Sequence, residues 1–143
     1  MYDDAIKIKV RLEDVAYPPK RAHAADGGLD LRSNKWATVP SGGYEVLNTG
    51  THIDIPVGYA GLIVSKSGLN KDHGITATGL IDSGFTGEIK VVLHNDGPTD
   101  YTVHVGDKIA QIMFVKIPKV TMVLDECSVD GVRGDDGYGS SGR

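Results

Sequence analysis

Ile6-Lys7-Ile8-Lys9-Val10-Arg11-Leu12 alternates apolar and basic residues at a period of two, the pattern of a strand with one face on a core and one in water. The same period returns in Ile53 and Ile55, in Ile89, Val91 and Leu93, and in Tyr101, Val103 and Val105. Residues 60–64 and 109–117 are more continuously apolar and suit strands deep in a sandwich. Turn chemistry separates the runs: Pro40-Ser41-Gly42-Gly43, Pro56-Val57-Gly58, Asn95-Asp96-Gly97-Pro98 and Gly106-Asp107. No window holds a helical stripe for three turns, and only residues 67–71 suggest a short helical turn. Many short strands at close spacing predict an all-β sandwich or barrel.

A chain of 143 residues, 40% apolar and 24% charged, is long enough for one sizeable core. The net charge of −4 argues against a nucleic-acid partner, which calls for a basic face, but one nucleotide needs only a few local cations and amides. Cys127 is the single cysteine, so no intrachain disulfide can form. The opening residues do not read as a secretion signal, and no apolar run approaches a membrane span. These features predict a cytoplasmic protein that is not attached to a membrane.

From Asp125 onward the character changes, giving an expected β-domain over residues 1–124 and a flexible arm over 125–143. Aliphatic residues run out at Val132, and Gly131, Gly134, Gly137, Gly139 and Gly142 crowd the end. Such an arm cannot order itself. Its Gly137-Tyr138-Gly139-Ser140-Ser141-Gly142 formally matches a dinucleotide fingerprint, but no helix can follow it. Glycine amides, two hydroxyls and the charges of Arg133 and Arg143 would suit a phosphate clasp, while a solvated linker is the commoner fate of such ends.

Ser65-Lys66-Ser67-Gly68 leaves an apolar strand as either a turn or a phosphate seat. In Gly79-Leu80-Ile81-Asp82-Ser83-Gly84-Phe85-Thr86-Gly87-Glu88, a carboxylate follows an apolar strand beside an aromatic. There Asp82 suits a general base for water, or merely caps a hairpin. Asp26-Gly27-Gly28-Leu29-Asp30-Leu31 is another acid–glycine turn entering a strand. The five histidines show no metal-ligand spacing, so any metal is expected to be Mg²⁺ brought by phosphates.

Taken in order, these segments resemble the five motifs of the homotrimeric dUTPase family: residues 26–31, 65–70, 79–88, 106–111 (Gly106-Asp107-Lys108-Ile109-Ala110-Gln111) and 133–142. The resemblance implies a jelly-roll-like subunit whose arm is exchanged, with three subunits sharing three sites and the third closing each with its arm. It implies hydrolysis of dUTP to dUMP and pyrophosphate, Mg²⁺-assisted, with Asp82 activating the attacking water. Asp30 would act near the sugar and the water shell of the metal, with no direct protein ligand to Mg²⁺. Lys66, Ser67, Gly68 and Gln111 would serve the phosphates. The backbone of Gly79, Leu80 and Ile81 would read uracil, and Phe85 would pack under deoxyribose. Tyr138 would stack on the base, while Arg133, Ser140 and Ser141 clasp the γ-phosphate; Thr76, Lys90 and Gly139 complete the expected contacts.

Some positions depart from the family pattern. Ser65-Lys66 stands for Pro-Arg, Thr76 for asparagine, and Gly84 and Thr86 for Asp and Arg or Gln; Phe85 and Tyr138 exchange their usual identities. A dCTP deaminase of the same fold would need a carboxylate near Asn95, where this chain has Leu93-His94. A nucleotide-switched regulatory binder, with a protein partner of its own, is the reading from another class.

Overall fold

The computed structural model describes residues 4–139, Ser141 and Gly142. Ten strands and one short helix follow one another: β1 Lys9–Leu12, β2 Leu29–Arg32, β3 Ala37–Val39, β4 Tyr44–Asn48, β5 Thr51–Asp54, β6 Tyr59–Val64, α1 Ser67–His73, β7 Ile75–Ile81, β8 Lys90–Asn95, β9 Tyr101–Val103 and β10 Lys108–Lys116. Six strands form one curled antiparallel sheet in the order β2-β10-β6-β7-β8-β4, and the pairs β1-β5 and β3-β9 complete a jelly-roll-like β fold. All share one core: Leu31, Val39, Leu47, Ile53, Ile63, Ile75, Ile89, Val91, Leu93, Val103, Ile109 and Ile112 are each at most 2% exposed. Most are β-branched, which suits a pleated, tightly packed surface. Each such burial contributes about 1.5–3 kcal/mol.

Period-two alternation locates this core well, with two exceptions. Val105 lies beyond β9 in the turn to β10 and is 47% exposed, because Gly106-Asp107 bends the chain before the strand can take in a third apolar residue. The opening stretch forms a strand only from Lys9, and Val10 and Leu12 are 42% and 41% exposed. β1 lies at the margin, pairing only with β5, so its apolar side borders an open groove with Ile6, Ile8, Tyr59 and Phe114.

The expected helical turn is α1. It stops at Gly74, whose left-handed φ of 69° lets its N–H reach the carbonyls of Asn70 and Leu69. Asn95, fully buried, spends its amide on the carbonyls of Val39 and Thr99 and accepts from the Gly97 N–H. It is thus a structural tie between β8 and the loops beside it. The described residues from Ile117 to Gly139 form no strand and are exposed. Val120, Met122, Leu124 and Val129 among them have at least two-thirds of their surface in water.

Candidate active site

The site candidates fall into three groups. The first gathers at one end of the β2-β10-β6 sheet. Asp30, on β2, is buried; Lys66 Nζ donates to its Oδ1 at 2.5 Å and Lys108 Nζ approaches its Oδ2 at 3.2 Å. Burial pushes the Asp30 carboxyl upward, but the hydrogen bonds and charges of the two lysines outweigh it and hold the group below the usual carboxylate range. Opposite Asp30 in the ladder stands Gln111, whose Nε2 donates to the Ser65 carbonyl at 3.1 Å. Ser65 Oγ in turn accepts from the Ala77 N–H and donates to its carbonyl, pinning the loop that presents Lys66, Ser67 and Gly68. Ser67 and Gly68 open α1 and are exposed.

The second group is the β7–β8 hairpin. Its ladder pairs Ile75 with Asn95, Thr76 with His94 and Ala77 with Leu93, and stops there, although both strands continue. Past that point β8 leans to β4, pairing Lys90 with Asn48, while β7 stays with β6, pairing Gly79 with Ile63, Leu80 with Leu62 and Ile81 with Gly61. The strands splay, and one backbone edge of residues 78–81 has no rung from β8. Strand amides and carbonyls with nothing opposite them are strong, unmet hydrogen-bonding groups. Beside this slot Leu80 is 62% exposed, Asp82 is exposed, and Phe85 is 43% exposed. A Cβ on Gly87 would lie 2.7 Å from the Phe85 ring, so a side chain there would push the ring from its place across the turn.

Three anchors hold the hairpin tip to the neighbouring strands. Glu88 accepts from the Asn48 amide at 2.9 and 3.1 Å and from the Gly50 N–H at 2.9 Å. His52 Nδ1 lies 3.0 Å from the Thr86 carbonyl. A carbonyl only accepts, so the Nδ1 carries the proton. Sequence reading assigned no role to Glu88, Asn48, His52 or Lys108; Glu88 and Lys108 fall within motif segments, but each of the four acts on a residue distant along the chain.

The third group is the arm. Arg133 donates to the Gly137 carbonyl, and Tyr138 and Ser141 are exposed. Gly139 takes a left-handed φ of 76°. Ser140 and Arg143 lie outside the described residues.

The structure does not bring the first two groups together. Asp82 follows Ile81, which faces Gly61, whereas Gln111 faces Val64 and Lys66 lies two residues further on. Four to six residues along β6 and one to three strands across it put Asp82 about 15–20 Å from Asp30, Gln111 and Lys66. Asp82 and Lys66 thus stand at opposite ends of β6 within one copy of the chain.

Comparison with known proteins converges on one family. The family model described as dUTPase matches residues 15–142. A deoxyuridine 5'-triphosphate nucleotidohydrolase of Corynebacterium glutamicum is 42% identical over 143 residues, covering 97% of this chain and 95% of that protein. One from the fungus Eremothecium gossypii is 35% identical, covering 96% and 91%. Among solved structures, the dUTPase of Staphylococcus bacteriophage 80alpha with dUpNHpp superposes with a TM-score of 0.85 at 28% identity, covering 97% of this chain and all of that one. A D95N dUTPase from phage phi11 of S. aureus, described with a structural Mg(II) ion, gives 0.76 at 26% identity, covering 84% and 98%.

Proposed function

From a chain that belongs to the dUTPase family, we infer an enzyme that hydrolyses dUTP to dUMP and pyrophosphate. The observation that carries this is the broken β7–β8 ladder beside Asp82. An unpaired strand edge offers alternating donors and acceptors, which match the N3–H and carbonyl edge of uracil. Phe85 closes the sugar side, where a flat ring against deoxyribose leaves no room for a 2′-hydroxyl.

Asp82 takes a proton from a water as its oxygen attacks the α-phosphorus. The bond from that phosphorus to the bridging oxygen breaks, and pyrophosphate leaves. Lys66, Ser67, Gly68 and Gln111 hold the phosphates in line for attack, with Asp30 behind them. Thr76, paired with His94 in the closed part of the ladder, and Lys90, at the start of β8, would complete the substrate contacts. Among the described residues no three His, Cys, Asp or Glu side chains cluster as a metal cage, and Asp30 already faces two ammonium groups. Mg²⁺ carried in on triphosphate oxygens and waters would neutralise phosphate charge there, with Asp30 near its water shell.

The separation of Asp82 from Lys66 calls for more than one subunit per site. A homotrimer supplies Asp30, Lys66 and Gln111 from one copy and the hairpin from the next. Residues 125–143 of the third close over the nucleotide, Tyr138 on the base and Arg133, Gly139, Ser140 and Ser141 on the γ-phosphate. The exposed aliphatic side chains of residues 117–132 support an arm that packs on a neighbour. No helix among the described residues is long and apolar enough to cross a membrane. The exposed, unpaired Cys127 suits a cytoplasmic, reducing setting.

Leu93, where a deaminating enzyme needs its carboxylate neighbourhood, is fully buried in the core, and Asn95 is spent on backbone. Pyrophosphate release measured across dUTP, dTTP, dCTP and UTP tests the assignment: dUTP alone is turned over efficiently. Consumption of dCTP with dUTP ignored would sink it.

A further inference from the structure

Lys108 reaches Asp30 only because β10 carries an irregularity. Gln111 faces Asp30 and Ile112 faces the core, so strict alternation would turn Ile109 outward and Lys108 inward. Instead the register shifts between Lys108 and Ala110: Lys108 pairs with Arg32 and Ala110 with Leu31, leaving Ile109 as the extra residue. Ile109 and Ala110 are both buried, and Lys108 is returned to the face that carries Gln111 and Asp30. A bulge of this kind re-aims a side chain at the cost of one ladder rung. Here it brings an ammonium group to the second oxygen of a carboxylate whose first oxygen already has one.

Charge balance gives the second cation a purpose. Lys66 alone would neutralise Asp30. In the reaction assigned above Lys66 also meets phosphate, and a lysine offers a single compact charge, not the planar fork with which an arginine faces two oxyanions at once. Each movement of Lys66 towards the substrate would leave the Asp30 side chain, 8% exposed, without a counter-charge. That state is costly in a buried site.

We propose that Lys108 is a positioning residue, holding the Asp30 carboxylate in place while Lys66 engages the triphosphate. The proposal rests on the assigned dUTP hydrolysis, and its test separates the two. Wild type, K108M, D30N and the double variant are unfolded in urea without nucleotide. The loss of midpoint caused by K108M is absent when Asp30 is already Asn. Steady-state hydrolysis of dUTP then follows. K108M lowers kcat/KM about tenfold, the worth of one hydrogen bond to a charged group. Lys108→Arg, which keeps the charge, recovers most of that loss. In the D30N background K108M changes kcat/KM by less than about twofold, as coupled partners require.

Equal losses from K108M with and without Asp30, in the urea midpoint or in kcat/KM, would overturn the proposal, since Lys108 would then act by itself. So would K108M retaining wild-type kcat/KM. A wild-type chain inert towards dUTP overturns the assigned reaction instead, and the unfolding cycle still decides whether the clamp exists.

Discussion

Mixing two inactive variants should regenerate activity, and the strand register says how much. Asp82→Asn removes the proposed base and leaves the Asp30 group intact; Asp30→Asn does the reverse. With Asp82 about 15–20 Å along the sheet from that group in one copy, the proposed trimer draws the two from different subunits. Co-refolding the variants in equal amounts assorts them at random. Of the four pairings of a phosphate-side donor with a hairpin donor, one has both intact, giving about one quarter of the wild-type rate in a closed ring. Asp82→Asn alone should fall below about 1% of wild type, given the 10²–10⁴-fold worth of a positioned base, and Asp30→Asn alone should stay well below one quarter. The assay is pyrophosphate release at saturating dUTP, with random assortment verified by native mass spectrometry of differently tagged subunits. A mixed sample no faster than the mean of its parents would refute the shared site, because a site built within one subunit contains one broken residue in every copy.

Three further outcomes follow from the geometry. Deleting residues 134–143 should leave the assembly unchanged by sedimentation while cutting dUTP hydrolysis at least tenfold; a monomeric product would mean that the arm holds the subunits together and does not serve as a lid. Glu88→Ala strands the Gly50 N–H and the Asn48 amide, and should cost about 2–3 kcal/mol in urea unfolding, as expected when partners of a charged acceptor are left unsatisfied, with kcat falling as the hairpin loosens. The Asp30 carboxyl is held below its ordinary value near 3.8 in the folded state, so its ionised form stabilises the fold above that value and the benefit is lost as pH falls through the lower folded value. The stability gap between wild type and Asp30→Asn should therefore be flat near neutrality and close in acid, and a gap that widens on acidification would contradict the clamp.

Much of this architecture was legible in the residues. The alternations at 53–55, 89–93 and 101–103 became core strands, and Ser67-Gly68-Leu69 opened the one helix among the described residues. Those patterns are local, and a period of two has one structural meaning. The opening stretch misled about burial because alternation specifies that one face is apolar, not what covers it; β1 has an apolar side and only a groove beneath it. The Asp30–Lys108 contact was hidden for another reason. Counted by alternation from Gln111, Lys108 belongs to the core face, and only the bulge at Ile109 moves it. The gap between Asp82 and Lys66 was invisible too, because separation in space depends on which strands pair, not on their order in the chain.

Under the proposed reading, the slot between β7 and β8 is a gap in the fold that the substrate would fill. A base seated against residues 78–81 serves as the absent rung, satisfying backbone groups that elsewhere in the sheet a neighbouring strand satisfies. Nucleotide binding and folding then draw on the same hydrogen bonds, so occupancy deepens the native well as ligand linkage requires. Alternation along β7 turns the Ala77 N–H to Ser65 on the β6 side, so the amides of Thr78 and Leu80 face the slot and should report that event, exchanging slowly with a base in place and fast without one. Discrimination among bases is, in these terms, a matter of which heterocycle can pass for a strand.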